Sequence, residues 1–191
     1  LSGKKGCGSK ERQKAQTGDK PLREGEILFY EHSLKLLEER GVTVEGIAEI
    51  VYQLQSPYNK DLSLQTCVEN VKAVLKKREV QHAIITGVSL DMLAEQKKLP
   101  EPFQTIMEVD EPLYGIDEIL ALSITNVYGT IGLTSFGYLD KNKVGIMEKL
   151  NNHGKQIHVF LDDIVAGVAA AASARIAHQH PDTNPYMKNQ P

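Results

Sequence analysis

"VFLDDIVAGVAAAASARIAH", residues 159–178, decides how the chain folds. Its small and apolar residues leave no polar stripe, and a helix that is apolar all round is buried all round. Residues 164–174 are mostly Ala and Gly. Small side chains let neighbouring helices come close, so the stretch predicts the crowded central helix of a bundle. Near its start, however, stand two adjacent acids, Asp162 and Asp163. Acids in a first helical turn offset the macrodipole and are ordinarily solvated. A carboxylate withdrawn from water is costly unless cations or hydrogen bonds compensate it.

The flanking sequence also reads as helix. Residues 27–40 have helical spacing and stop at Gly41. Thr43 opens the next helix, which ends before Pro57. Ser63 opens a long one expected to run to Gly87. Ser89 is expected to cap a shorter helix, closed by Pro100 and Pro102. "FQTIMEV" (103–109), "GIDEILALSITNVYGTIG" (115–132) and "NKVGIMEKLN" (142–151) complete the series. The helix of 115–132 is the other strongly apolar one and is expected to be buried as well. No period-two run of β-branched residues interrupts the pattern. The expected fold is all-α, a compact helical bundle with a buried central helix surrounded by the others. Residues 1–26 and 179–191 are polar and read as flexible tails around one domain, 27–178.

Composition narrows the function. Net charge is −3, and no basic block is interleaved with aromatics, which excludes nucleic acid as a partner. Cys7 and Cys67 form no CxxC pattern and fit a reducing cytosol. The longest apolar run, about 164–174, is short of the ~20 residues that span a bilayer. No signal peptide is expected, because the N-terminal residues are polar. A cytoplasmic protein without a transmembrane segment, at most peripheral to the membrane, is expected. The small-residue helices leave a homo-oligomer open.

The acidic pair has an echo. "IDEILA" (116–121) and "LDDIVA" (161–166) share one pattern: aliphatic, Asp, acid, Ile, aliphatic, Ala. Adjacent helix positions lie ~100° apart, so one acid of each pair can face a shared cleft while its neighbour flanks it. Asp117, Glu118, Asp162 and Asp163 would then converge, and carboxylates that converge need cations. An all-oxygen set suits Mg²⁺ or Mn²⁺ rather than Zn²⁺. Asp110 precedes the first pair and Asp140 lies between the two, followed by Lys141 and Lys143. His153 and His158 precede the second pair. Read locally, Asp110 and Asp140 would cap following helices, the lysines would form a solvated face, and His153 would be a turn residue. No P-loop, HExxH, GxSxG elbow or Cys–His nucleophile pattern is present.

At these residues the chain resembles the phosphatidylglycerophosphatase A family, and most closely its soluble Gram-positive branch, the low-temperature-requirement C proteins. Three stretches carry the likeness. In "VDEPLYGIDEILA" (109–121), Asp110, Asp117 and Glu118 match. In "FGYLDKNK" (136–143), Phe136, Asp140 and Lys143 match. In "HGKQIHVFLDDIVAGV" (153–168), His153, Gly154, Asp162, Asp163, Ala166 and Gly167 match. Gly137 stands where the family has Arg and Val144 where it has Pro. The N-terminal Gly/Pro-rich motif and the transmembrane helices of the membrane enzymes are absent.

The resemblance implies a Mg²⁺- or Mn²⁺-dependent phosphohydrolase acting on a phosphorylated small molecule or a phospholipid headgroup. Asp110, Asp117, Glu118, Asp162 and Asp163 would hold the metal. Asp163 would act as general base, Asp140 and Lys143 would assist, and Lys143 with His153 would contact the phosphate. Two alternatives stand beside it. All-α nucleotide pyrophosphatases also use helix-borne acids, but at i, i+3 or i+4 rather than adjacent positions. The fold and acids could also serve a non-catalytic binding or stress-related interaction protein.

Overall fold

The structure, a computed structural model, describes residues 24–150 and 156–179. Among the described residues there are nine α-helices, one 3₁₀ turn and no strand. They are α1 (Glu24–Glu39), α2 (Val44–Gln55), α3 (Leu64–Leu75), α4 (Arg78–Glu95), α5 (Phe103–Val109), α6 (Ile116–Thr125), α7 (Gly129–Asn142), α8 (Ile146–Leu150) and α9 (Leu161–Gln179). The 3₁₀ turn, Asn126–Tyr128, joins α6 to α7. The fold is all-α, as expected. The two tails expected from composition fall almost entirely outside the described residues.

Local chemistry sets the first helix ends. Gly41, at φ 78°, takes the left-handed conformation that stops α1. Thr43 and Ser63 cap α2 and α3, accepting the N–H of Gly46 at 3.0 Å and of Thr66 at 3.1 Å. The expected helix from Ser63 to Gly87 is in fact broken at Lys77, whose backbone is extended. A buried side chain fixes the break: Gln81 donates to the carbonyl of Leu75 at 3.0 Å, satisfying an end group that α3 would leave bare. Conversely, Gly87 and Ser89 are not a stop and a cap, because α4 runs through both. A Cβ on Gly87 would lie 2.4 Å from Ile164 Cδ1 and 2.8 Å from Phe160 Cβ. That glycine lets α4 and α9 approach closely.

At the centre lies α9, packed against α2, α3, α4, α6, α7 and α8. Its residues from Ile164 to Ala174 are all buried. Gly167 meets the backbone of α6: a Cβ there would sit 3.0 Å from the carbonyl oxygen of Ala121. Overpacking such a contact costs about 1–3 kcal/mol, so the small-residue run is what admits the neighbouring helices.

The second apolar segment departs from expectation. Ile116–Asn142 is long and apolar enough to cross a membrane by length and composition alone, with mean hydropathy 1.4, yet only 28 % of its most apolar window is buried. The 3₁₀ turn and Gly129, at φ 69°, fold it back, so that Asp117 and Asp140 at its two ends repel one another. Each arm lays one side on α9. Ile119 (60 % exposed), Val127 (62 %) and Leu133 (52 %) are left on the outside. An amphipathic division is missing from the sequence because the outward positions are apolar too.

Candidate functional site

The hairpin α6–α7 and the start of α9 bring their acids to one end of the bundle. Asp117 and Glu118 occupy the first turn of α6. Asp140 lies in the last turn of α7, and is not the cap of a later helix. Asp110 ends α5 in a left-handed conformation, φ 51°, rather than opening α6. Asp162 and Asp163 occupy the first turn of α9. These acids act on one another: Asp117 feels Asp110 and Asp140, Asp162 feels Asp110, and Asp163 feels Asp162, Asp140 and Asp117. His153 lies outside the described residues.

Lys143 is not part of a solvated face. It ends α7 in a left-handed conformation, φ 44°, which turns its side chain in among the acids. Its Nζ is 2.7 Å from Asp162 Oδ2, 3.0 Å from Asp140 Oδ1 and 3.3 Å from Asp163 Oδ1. Burial works against this ammonium, but Asp162, Asp163 and Asp140 outweigh it and hold its proton more tightly than in water. Lys141, two positions earlier, is exposed.

One lysine does not neutralise six carboxylates. Burial first, and the charge of Asp162 second, push the Asp163 carboxyl up to about 8. Burial also raises Asp162, against the pull of Lys143. Asp117 and Glu118 are raised by burial and by their acidic neighbours. In water without divalent cations Asp163 therefore retains its proton near neutrality. A folded-state pKa raised above the unfolded value means that the folded protein loses stability as pH climbs from the unfolded pKa to the folded one. The melting temperature of chelated protein should accordingly fall by roughly 5 °C between about pH 5.5 and about pH 8.5. Scanning calorimetry in EDTA reads this directly; a flat or rising profile contradicts it.

The donors suit a hard divalent cation. All are carboxylate oxygens, negative charge is in excess, and Asp117 Oδ1 is buried with no hydrogen-bond partner. Among the described residues no three acid, His or Cys side chains are grouped as a ready metal cage. The Lys143 ammonium stands among the acids instead. A small cavity of about 150 Å³ opens beside them, lined by Asp110, Asp162, His158 and Met107 among others.

A second polar group behind the site was not singled out from sequence. Asp91 and Glu95 on α4, with Arg40 after α1, hold residues 157–161, the strap that leads into α9. A helix capped by Ser89, as the sequence predicts, would put Asp91 in its first turn, where an acid is unremarkable. Only the continuity of α4 makes it a buried, mid-helix carboxylate.

The family model for phosphatidylglycerophosphatase A matches residues 39–178, which span all four acid-bearing helices and Lys143. The chain belongs to the phosphatidylglycerophosphatase A family. Within the reach of that family it is 60 % identical over 155 residues to the uncharacterized protein YpjQ of Bacillus subtilis (strain 168), covering 81 % of this chain and 88 % of that protein. The crystal structure of ypjQ from Bacillus subtilis superposes with a TM-score of 0.80 at 57 % identity, over 83 % of this chain and 99 % of that one. The low temperature requirement C protein from Listeria monocytogenes superposes with a TM-score of 0.77 at 53 % identity, over 78 % of this chain and 95 % of that one. The resemblance read from the three acidic stretches thus holds across the domain.

Proposed function

We propose that the protein is a divalent-cation-dependent phosphomonoester hydrolase of the phosphatidylglycerophosphatase type, working from the cytoplasm on a phospholipid headgroup or a related phosphate. The observation that carries this is the gathering of six acids at one end of the bundle, three of them bonded to Lys143 and another with an orphaned buried oxygen. Asp110, Asp117, Glu118, Asp162 and Asp163 would hold Mg²⁺ or Mn²⁺. The bound cation would supply Lewis acidity and a lowered water pKa.

The chain's own groups do the rest. Asp163, whose proton affinity burial has raised, accepts the proton of the attacking water. The water oxygen bonds to phosphorus, the ester P–O bond breaks, and the alcohol leaves with a proton. Lys143 offsets charge on the phosphoryl oxygens, and Asp140 orients it through the 3.0 Å contact. His153 would contact the phosphate from outside the described residues. Gly137 stands at an exposed position with open space around it, so no arginine supports the phosphate there. The outer side of the hairpin carries no charged residue between Ile119 and Leu139, which suits an ester bearing acyl chains.

The test is phosphate release from phosphatidylglycerophosphate in mixed micelles and from glycerol 3-phosphate, each with Mg²⁺ and with EDTA. Mg²⁺-dependent release, faster from the lipid, is the expected result; no release from either, with no Mn²⁺ bound in calorimetry, rejects the reading. The neutralising grip of Lys143 favours one second reading, a cation-binding module without catalysis. That version predicts Mn²⁺ binding with no phosphate released.

A further inference from the structure

The first turn of a helix exposes backbone N–H groups that a nearby Ser, Thr, Asp or Asn usually accepts. In α2 and α3 this is done locally, by Thr43 and Ser63. Before α9 the chain reads His158, Val159, Phe160, and none of these can cap in that way. The cap comes from another helix. Asp91, fully buried on α4, accepts the N–H of Phe160 at 3.1 Å on Oδ1 and the N–H of Leu161 at 3.0 Å on Oδ2. The next donors are met within the turn, Asp162 by the carbonyl of His158 and Asp163 by Asp162 Oδ1 at 2.9 Å.

A local serine would satisfy those N–H groups at lower cost than a buried carboxylate. It would not, however, tie α9 to anything else. Two hydrogen bonds from one carboxylate on α4 fix both the height and the rotation of α9 at the residue just before Asp162. Glu95, one turn further along the same face of α4, extends the anchorage. It accepts the N–H of Ile157 at 2.8 Å and a hydrogen bond from Arg40 at 2.6 Å. Gly87, one turn earlier, admits Ile164 and Phe160 against the α4 backbone. One face of α4 thus supplies the carboxylates that seat the start of α9, with Arg40 adding a bond to the carbonyl of Ile157.

We propose that Asp91 is a positioning residue: as the remote cap of α9 it sets the direction in which Asp162 and Asp163 face the acid cluster, with Glu95 continuing the same anchorage. Asp91 bonds backbone donors only, and the carboxylates that face the cluster are left free of the main capping duty. The inference rests on the cation-binding reading above.

The experiment uses the full chain as wild type, Asp91→Asn, Glu95→Gln and Val71→Ala, the last a core change on α3, which carries none of the clustered acids. Mn²⁺ affinity is measured by electron paramagnetic resonance and calorimetry, and amide exchange at Phe160 and Leu161 by NMR. Asn can accept only one of the two N–H groups and turns its amide toward the other. Asp91→Asn should weaken Mn²⁺ binding by about 10- to 100-fold, the range seen when groups that orient metal ligands are changed. It should also speed exchange at residues 160 and 161. Val71→Ala should lose stability with Mn²⁺ affinity unchanged, and a merely structural Asp91 would show the same pattern. Unchanged Mn²⁺ affinity or unchanged exchange in Asp91→Asn overturns the proposal. Should that variant not fold, Glu95→Gln, on a partly exposed side chain, decides: a several-fold weaker affinity supports the anchorage and an unaltered one overturns it. A wild type that binds no Mn²⁺ overturns the cation reading itself and this inference with it, and that outcome shows in the wild-type arm alone.

Discussion

Asp163→Asn should lower Mg²⁺-dependent phosphate release by about 100- to 10,000-fold, the span associated with losing a positioned general base. The same change should raise the melting temperature of the chelated protein by about 2–4 °C. The two signs follow from one fact. Asp163 is 4 % exposed at its side chain and lies beside Asp162, so its charge is a liability to the fold. Lys143 keeps its shorter contacts to Asp162 and Asp140 when Asp163 is neutralised. Asn is isosteric, so packing around the first turn of α9 is unaltered. Activity assays and calorimetry on one preparation check both parts. Retained activity would remove Asp163 from the chemistry, and a lowered melting temperature would mean that its charge serves the fold.

Lys143→Met should have the largest effect on stability. It removes the cation from three carboxylates while keeping most of the side chain's length and apolar bulk. Breaking a buried ion pair by deleting one partner typically costs about 3–5 kcal/mol. The lower end, about 3 kcal/mol, is expected here, because acids already inclined to hold protons can take up another. In chelator the variant should melt roughly 6–12 °C below wild type, with a wider gap at high pH than at low. Millimolar Mg²⁺ should close most of that gap, since a cation that binds the folded state stabilises it by mass action. An ordinary surface lysine would change stability by no more than about 0.5 kcal/mol. A loss of that size, or one that Mg²⁺ leaves untouched, would show that the acids do not depend on a cation.

How far the sequence could be read depended on whether a feature is local. Thr43 and Ser63 announce their helices because a cap and its N–H lie three residues apart. The interior place of α9 follows from its own composition. The acids were legible as a group because two pairs repeat one short pattern. The misses all involve partners distant in sequence. The break at Lys77 depends on Gln81 reaching back to Leu75 across the turn. The passage of α4 through Gly87 makes sense only with Ile164 and Phe160 beside it. The outward face of α6 is as apolar as its inward face, so no periodicity could separate them. Lys143 looked solvated beside Lys141, and only its left-handed backbone carries it inward. Asp91 offered no motif at all, because its partners are backbone atoms about seventy positions away.

Two sets of acids, therefore, do two kinds of work at the head of α9. Asp91 and Glu95 hold the backbone that enters it from α4, while Asp110, Asp117, Glu118, Asp140, Asp162 and Asp163 gather as a separate set, three of them bonded to Lys143. The division makes the architecture heritable apart from its chemistry. A descendant could trade away members of the cluster, change its cation or abandon hydrolysis, and still inherit a properly seated α9. Drift in this lineage should therefore be tolerated at the cluster before it is tolerated on that face of α4.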